Sequence, residues 1–317
     1  MSIKSIAEKT AHALGAVHLI RQRYRANARI LMYHRFHADS SRLAEQCEHL
    51  SRHYHCISLT ELAHAARAGQ SLPPKSLAIT IDDGYRDFQH AFSVFQRFGL
   101  KVTLYVVSGF AAGELWLWPD QLLYLFENAA RRQPEIPLST GTVRLDLSHP
   151  RAAFATFSQT MIAMPNQDRL DLLRRLPVLL DVELPAKAPG RFAALNWDEI
   201  RTLAAQGLDV GAHTATHPIL AKVQTGLESE IAGSKARIEQ ATGTPVRHFC
   251  YPNGRPIDIS PAAVALAETS GYQTAVLSES GFAGPPYNLF QLKRLGVDPD
   301  LPLPYFERYI AGYRVAN

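Results

Sequence analysis

Seven short apolar runs, spread along the chain and separated by segments of helical character, constrain this sequence more than any other feature. They lie at 28–33, 77–81, 102–107, 208–212, 246–251, 273–277 and 289–297, and each is rich in Val, Ile, Leu or aromatic residues. Between most of them the spacing predicts helices. The clearest is 197–206, where Asn196 can cap the first turn, Glu199 sits three residues later as a capping box requires, and Gly207 follows the end. Alternation of strand and helix predicts parallel strands in an α/β barrel or an open α/β sheet. The sequence has no repeat of the solenoid kind and no low-complexity tract.

One stretch breaks the rhythm. Residues 113–195 hold two or three predicted helices, near 119–132, 151–163 and 167–180, together with Pro-rich joints and a short strand-like TVRLDL. The organisation expected is an N-terminal helix in 1–27, a barrel formed by 28–112 and 196–317, and a helical insertion at 113–195 that walls the barrel mouth. Trp116 and Trp118 open the insertion. They read either as buried anchors or as a platform for a sugar ring.

Composition narrows the function. With 33 Lys and Arg against 29 Asp and Glu, the net charge of +4 over 317 residues is too weak to predict a phosphate-binding surface, so nucleic acid is not expected as a partner. Three cysteines, Cys47, Cys56 and Cys250, cannot build a disulfide framework, and a reducing compartment is expected. No apolar run reaches the roughly 20 residues that cross a bilayer, and Lys4, Glu8, Lys9 and His12 interrupt any secretory h-region. A cytoplasmic protein is therefore expected. Residues 3–20 place Ile3, Ile6, Ala7, Leu14, Val17 and Ile20 at helical spacing before the basic Arg21, Arg23 and Arg25. This pattern fits a helix packed on the domain or one lying at a membrane surface.

Chemistry concentrates at the ends of the predicted strands. The run at 77–81 leads straight into Asp82 and Asp83, and two adjacent carboxylates there suggest one metal ligand and one base, or else a helix N-cap. His213 and His217 follow the run at 208–212, four residues apart, so that on a helical turn both imidazoles would face one divalent ion. With Asp83 they make a two-His, one-carboxylate set suited to activating water. The run at 246–251 ends in Tyr251-Pro252-Asn253-Gly254, a turn able to aim backbone N–H groups into a cleft.

Thr80-Ile81-Asp82-Asp83-Gly84, His213-Thr214-x-x-His217 and Tyr251-Pro252-x-Gly254, in that order, resemble the first three motifs of the polysaccharide deacetylases, carbohydrate esterase family 4 with its nodulation-protein-B-like domain. The resemblance spans about 28 to 300, with 113–195 as extra material. It implies a distorted (β/α) barrel of about seven strands and metal-dependent removal of N-acetyl groups from a polysaccharide, an oligosaccharide or a lipid-linked sugar. It further implies Asp83, His213 and His217 as ligands of a divalent metal, zinc being the expected ion, Asp82 as the general base and the Asn253 backbone N–H as an oxyanion donor. The expected partner is an N-acetylated glycan or glycan precursor. Peripheral membrane contact would run through the N-terminal helix.

Three positions depart from the family pattern. Cys250 stands where many members carry the motif-three Arg, Leu292-Lys293-Arg294 stands where a late Leu-x-His is usual, and the Asp-x-x-Trp of the fourth motif is missing. Leu31-Met32-Tyr33-His34 resembles the early Tyr-His of the exopolysaccharide-deacetylase branch, whose motifs are permuted, and this implies His34 as the general acid, on the side of the metal opposite the base. His37 is its rival, three residues further into the loop. Arg294 is expected to occupy the place left by the missing Arg and to orient Asp82. The alternatives are a catalytically silent carbohydrate-binding barrel and a hydrolase of O-acetyl or cyclic amide bonds.

Overall fold

The computed structural model describes residues 15–313. All seven apolar runs form strands: β1 (Arg29–Tyr33), β3 (Ser76–Ile81), β4 (Val102–Val106), β7 (Asp209–Ala212), β8 (His248–Cys250), β9 (Thr274–Ser280) and β10 (Leu292–Gly296), with a two-residue β2 (His55–Cys56) beside β3. The ladder runs β1-β10-β9-β8-β7-β4-β3, and β3 then pairs in parallel with β1 from Arg29↔Leu77 to Tyr33↔Ile81. Seven parallel strands thus close into a barrel of the (β/α) kind expected. Closure removes the open edges that would invite mispairing, leaving only short β2 as a fringe.

Side-chain parity divides the barrel into two apolar layers. On β3, Leu77, Ile79 and Ile81 pack outward with Phe88, Phe92 and Phe95 of α4 (Phe88–Arg97), while Ala78 belongs to a second cluster with Ile30, Tyr105, Cys250, Val276 and Leu292 from alternate positions of the other strands. That second cluster lines the inside, and Leu59 and Leu62 of α3 (Leu59–Arg67) join it. The interior is tight. A Cβ on Gly211 would meet the Tyr105 ring at 2.5 Å, so glycine is required where that ring crosses the barrel. Because parity has period two, Thr80 and Asp82 continue the inward series of Ala78, and Arg294 continues that of Leu292.

Helices α2 (Ser41–His53) and α9 (Trp197–Ala205) cover the outside, with α10 (Ser234–Thr242), α11 (Pro261–Thr269) and α12 (Leu303–Ala311). The box at the start of α9 is as read from sequence: the Glu199 N–H donates to Asn196 Oδ1 and the Asn196 N–H to Glu199 Oε2, both at 2.9 Å. Between the four-residue α5 (Ser108–Ala111) and α9, the chain forms α6 (Trp118–Asn128), α7 (Pro150–Ala163) and α8 (Asn166–Leu180), together with an antiparallel hairpin of β5 (Glu135–Leu138) and β6 (Gly141–Arg144). The hairpin is a correction, since only its second strand is legible in TVRLDL. Leu122, Phe126, Phe157, Leu172 and Leu176 give this segment an apolar cluster separate from the barrel's.

Of the N-terminal helix, Ile3, Ile6, Ala7 and Leu14 lie outside the described residues; α1 (Ala16–Arg23) is its described part. Arg21 of its basic stretch is buried, hydrogen-bonded to His49 of α2 at 3.4 Å and set over the Tyr54 ring. No helix among the described residues is long and apolar enough to cross a membrane.

Candidate active site and metal centre

The motif residues converge because parallel strands release their C-terminal ends at one rim. His34 follows β1, Asp82 and Asp83 follow β3, His213 follows β7, the Tyr251–Gly254 turn follows β8, and Arg294 lies within β10. Asp83 stands at φ 77° and Gly84 at φ 85°, a left-handed pair that turns the chain as soon as β3 ends and sets the two carboxylates on different neighbours.

Asp83 Oδ1 lies 3.4 Å from His213 Nε2 and 3.3 Å from His217 Nε2, and one donor atom from each of the three residues falls within 4.8 Å of the others. The two imidazoles do not meet on a helical turn, as their spacing predicts. His213-Thr214-Ala215-Thr216-His217 is an irregular loop with Thr214 at φ 68° and His217 at φ 60°, conformations that cost about 1–3 kcal/mol each for residues other than glycine. Hydrogen bonds hold it open: the Ser108 N–H donates to the Thr214 carbonyl at 3.1 Å, the Gly109 N–H to that of Ala215 at 2.9 Å, and the His217 N–H to Thr214 Oγ1 at 2.9 Å. From across the loop, Glu230 accepts from the N–H groups of Ala215 and Thr216, each at 2.9 Å, and from the Thr216 hydroxyl at 2.6 Å. Glu230 sits in a single π turn, Ser229–Gly233, leading into α10.

His213 Nδ1 donates to the Cys250 carbonyl at 2.7 Å, which fixes the ring and turns Nε2 toward Asp83. Burial alone would raise the Asp83 pKa, but hydrogen bonds from His213 and His217 outweigh it and leave the carboxylate well below its usual range. Burial and the neighbouring His213 pull the His217 pKa down from its ordinary value despite Asp83. A buried carboxylate facing two imidazole nitrogens, with His217 Nδ1 buried and without a hydrogen-bond partner, is a donor set that suits a divalent cation.

Asp82 is held differently. Arg294 Nη1 donates to Oδ1 at 2.6 Å and Nη2 to Oδ2 at 2.7 Å; Nη1 also reaches Thr80 Oγ1 at 3.0 Å, Nη2 reaches Cys250 Sγ at 3.2 Å, and Nε donates to the Leu277 carbonyl at 2.6 Å. All five guanidinium N–H groups are used, although Arg294 is only 1% exposed. Burial would raise the Asp82 pKa; the charge and hydrogen bonds of Arg294 reverse this and lower it. Cys250 Sγ also donates to Oδ2 at 3.5 Å, so the lone-pair direction left free is on Oδ1. The cation comes from β10, which is separated from β3 by β1 alone.

His34 Nε2 lies 3.6 Å from Asp82 Oδ2, with its side chain 45% exposed. It therefore stands beside the expected base, not across the metal set from it, because β1 and β3 are neighbours and Asp82 N–H donates to the Tyr33 carbonyl at 2.9 Å. His37 turns instead to Asp300, 3.3 Å away. In the motif-three turn, Asn253 stands at φ 60° and Gly254 at φ 63°; the Ser278 hydroxyl donates to the Asn253 carbonyl and the Ser278 N–H to that of Gly254 at 2.9 Å.

Residues 176–275 match the family described as polysaccharide deacetylase, a stretch that takes in both histidines and the Tyr251–Gly254 turn. Over that stretch the chain is similar to the polysaccharide deacetylase family. YxkH of Bacillus subtilis (strain 168), whose name assigns it to this family, is 26% identical over 149 residues, 45% of this chain and 51% of that protein. The match thus spans about half the length of this curated relative. The fold is shared with the Streptococcus pyogenes deacetylase PplD in complex with acetate, at TM-score 0.58 and 16% identity over 90% of this chain and 98% of that one. IcaB from Ammonifex degensii also shares it, at TM-score 0.56 and 17% identity over 92% and 98%. At these identities the likeness is one of fold.

Several residues at the site escape sequence reading. Tyr85 donates to Asp120 Oδ2 at 2.7 Å, and the Arg35 guanidinium lies 3.9 Å from the centre of the Tyr85 ring while its Nε binds Asp87 at 2.7 Å. Tyr85 and Arg35 each adjoin a motif, which is their one signal. Asp120, in the first turn of α6, and Glu230, in an ordinary amphipathic segment, carry none. Trp116 and Trp118 are buried, the first against Tyr124 and Phe192, as anchors would be.

Proposed function

We propose that the protein is a metal-dependent de-N-acetylase that removes acetyl groups from an amino sugar of a polysaccharide, an oligosaccharide or a lipid-linked precursor. The observation that carries this reading is the Asp83–His213–His217 donor set beside a second carboxylate, Asp82, locked by Arg294. Held by Asp83, His213 and His217, a divalent ion such as zinc supplies Lewis acidity, lowering the pKa of water and polarising the acetyl oxygen. Asp82 then takes the proton of the attacking water on the lone pair that Arg294 leaves free. The Asn253 N–H donates to the oxygen on which negative charge develops. His34, 3.6 Å from Asp82, delivers a proton to the departing nitrogen, and the closeness of the two lets the proton taken by Asp82 pass to His34 within one turnover. The amide C–N bond breaks, giving acetate and a free amine.

The insertion, 113–195, is read as the wall of the glycan cleft. Cys47, Cys56 and Cys250 are free, which supports a reducing compartment, the cytoplasm, as the place of work. The test is a panel of N-acetylated and O-acetylated glycans in which acetate and new amine are measured together. Equal amounts of both from N-acetylated substrates support the reading, and acetate without amine favours the O-acetyl alternative.

A further inference from the structure

Beside the loop that carries His213 and His217 opens a cavity of about 430 Å³, between that loop and the insertion. Its lining includes Trp116, Trp118, Arg169, Arg174 and Thr216, the last lying between the two histidines. Arg169, on α8, is 1% exposed. One nitrogen, Nη2, donates to Asn166 Oδ1, and the guanidinium lies 5.3 Å from the centre of the Trp118 ring. Its Nε and Nη1 have no hydrogen-bond partner, and neither has the indole Nε1 of Trp116 or of Trp118. No carboxylate among the described residues forms an ion pair with Arg169, and burial lowers its pKa to about 10. The other charges on the lining are spoken for: Glu114 is paired with Arg237, and Arg174 with Asp171.

Among the residues that line the cavity, every buried side-chain polar atom without a partner is an N–H donor, and one of these groups carries a full positive charge. A buried cation without a counter-charge is costly, and a planar guanidinium fork matches a carboxylate or a phosphate. We propose that this cavity is a subsite for an anionic group of the sugar substrate, a carboxylate or a phosphate, with Arg169 as its counter-charge and the two indole N–H groups as flanking donors. That the anion is carried by a sugar rests on the deacetylase reading. The neighbouring Thr216 makes the subsite contiguous with the metal donor set, so one glycan can span both. The cation also sits where it can select: neutral glycans leave its donors unpaired, whereas acidic ones satisfy them.

The test is calorimetric titration of the intact chain with glucuronate, glucose 6-phosphate and glucose, and of its Arg169→Gln and Trp118→Phe variants with the same three sugars. One or both anionic sugars should bind at least tenfold more tightly than glucose, and the two arms tell carboxylate from phosphate. Arg169→Gln should remove that preference, and Trp118→Phe, which keeps a ring but loses a donor, should weaken it several-fold. Far-UV circular dichroism checks that the variants fold, and Trp118→Phe carries the test should Arg169→Gln not. Equal binding of glucose, absence of binding by all three, or a preference untouched by the substitutions overturns the proposal. Because binding is read without turnover, a chain that releases acetate from neutral glycans yet binds no anionic sugar loses only this inference. One that binds glucuronate or glucose 6-phosphate through Arg169 but deacetylates nothing loses the deacetylase reading.

Discussion

Arg294 grips both carboxylate oxygens of Asp82, at 2.6 and 2.7 Å, from a strand more than two hundred residues further along the chain. The pair is buried, so its two halves depend on each other. Arg294→Met should cost about 3–5 kcal/mol of stability, since it strands a buried carboxylate, and should abolish measurable acetate release. Adding Asp82→Asn to that variant should restore part of the stability, because the uncompensated charge is gone, while activity stays absent. Urea unfolding of the two single variants and the double variant measures the coupling; additive losses would mean that the two side chains do not act as a unit.

Much of this arrangement is legible in the sequence, and for a physical reason. Strands buried on both faces read as continuous apolar runs, so seven of them stand out between 28 and 297. Parity carries the reading further: Asp82 follows Ala78 and Thr80 on the inward face, and Arg294 follows Leu292. Elements that owe their form to distant contacts are not legible. β2 is two residues long and exists because His55 and Cys56 meet Ser76 and Leu77. The left-handed turns at Thr214 and His217 depend on Glu230, Ser108 and Gly109, and so the helical spacing of the histidines misleads. Arg169 looks like any polar residue of an amphipathic helix until Trp118 and the cavity stand beside it.

His34, the expected acid, offers a test that separates protonation from architecture. His34→Ala should lower turnover of an N-acetyl amide by about 10²–10⁴-fold and leave an acetate ester with a good leaving group much less affected, because an activated alcohol departs with little protonation. Equal losses on the amide and the ester would assign His34 to structure.

Asp120 predicts an unusual pH dependence of stability. Burial raises its pKa to about 6, above the ordinary carboxylate value, in spite of the hydrogen bond from Tyr85. The folded chain therefore binds more protons than the unfolded chain between about pH 4 and pH 6, so this residue's contribution falls as pH rises through that window. Asp120→Asn keeps an acceptor for Tyr85 and removes the charge. Relative to the parent chain it should gain about 2 kcal/mol on going from pH 4 to pH 8, on the order of the shift involved. Thermal unfolding at the two pH values measures this, and a stability difference independent of pH would contradict it.

The central claim, that Asp83, His213 and His217 hold the ion on which deacetylation depends, is tested most directly by a single titration. The chain is stripped with a chelator and returned to zinc in small steps, with bound ion and acetate release from an N-acetylglucosamine oligomer measured on the same samples. Acetate release should rise with bound zinc and level off at about one ion per chain, and the His213→Ala, His217→Ala double variant should show neither the binding nor the activity. Undiminished acetate release from the stripped chain, or full ion binding by the double variant, would contradict the claim.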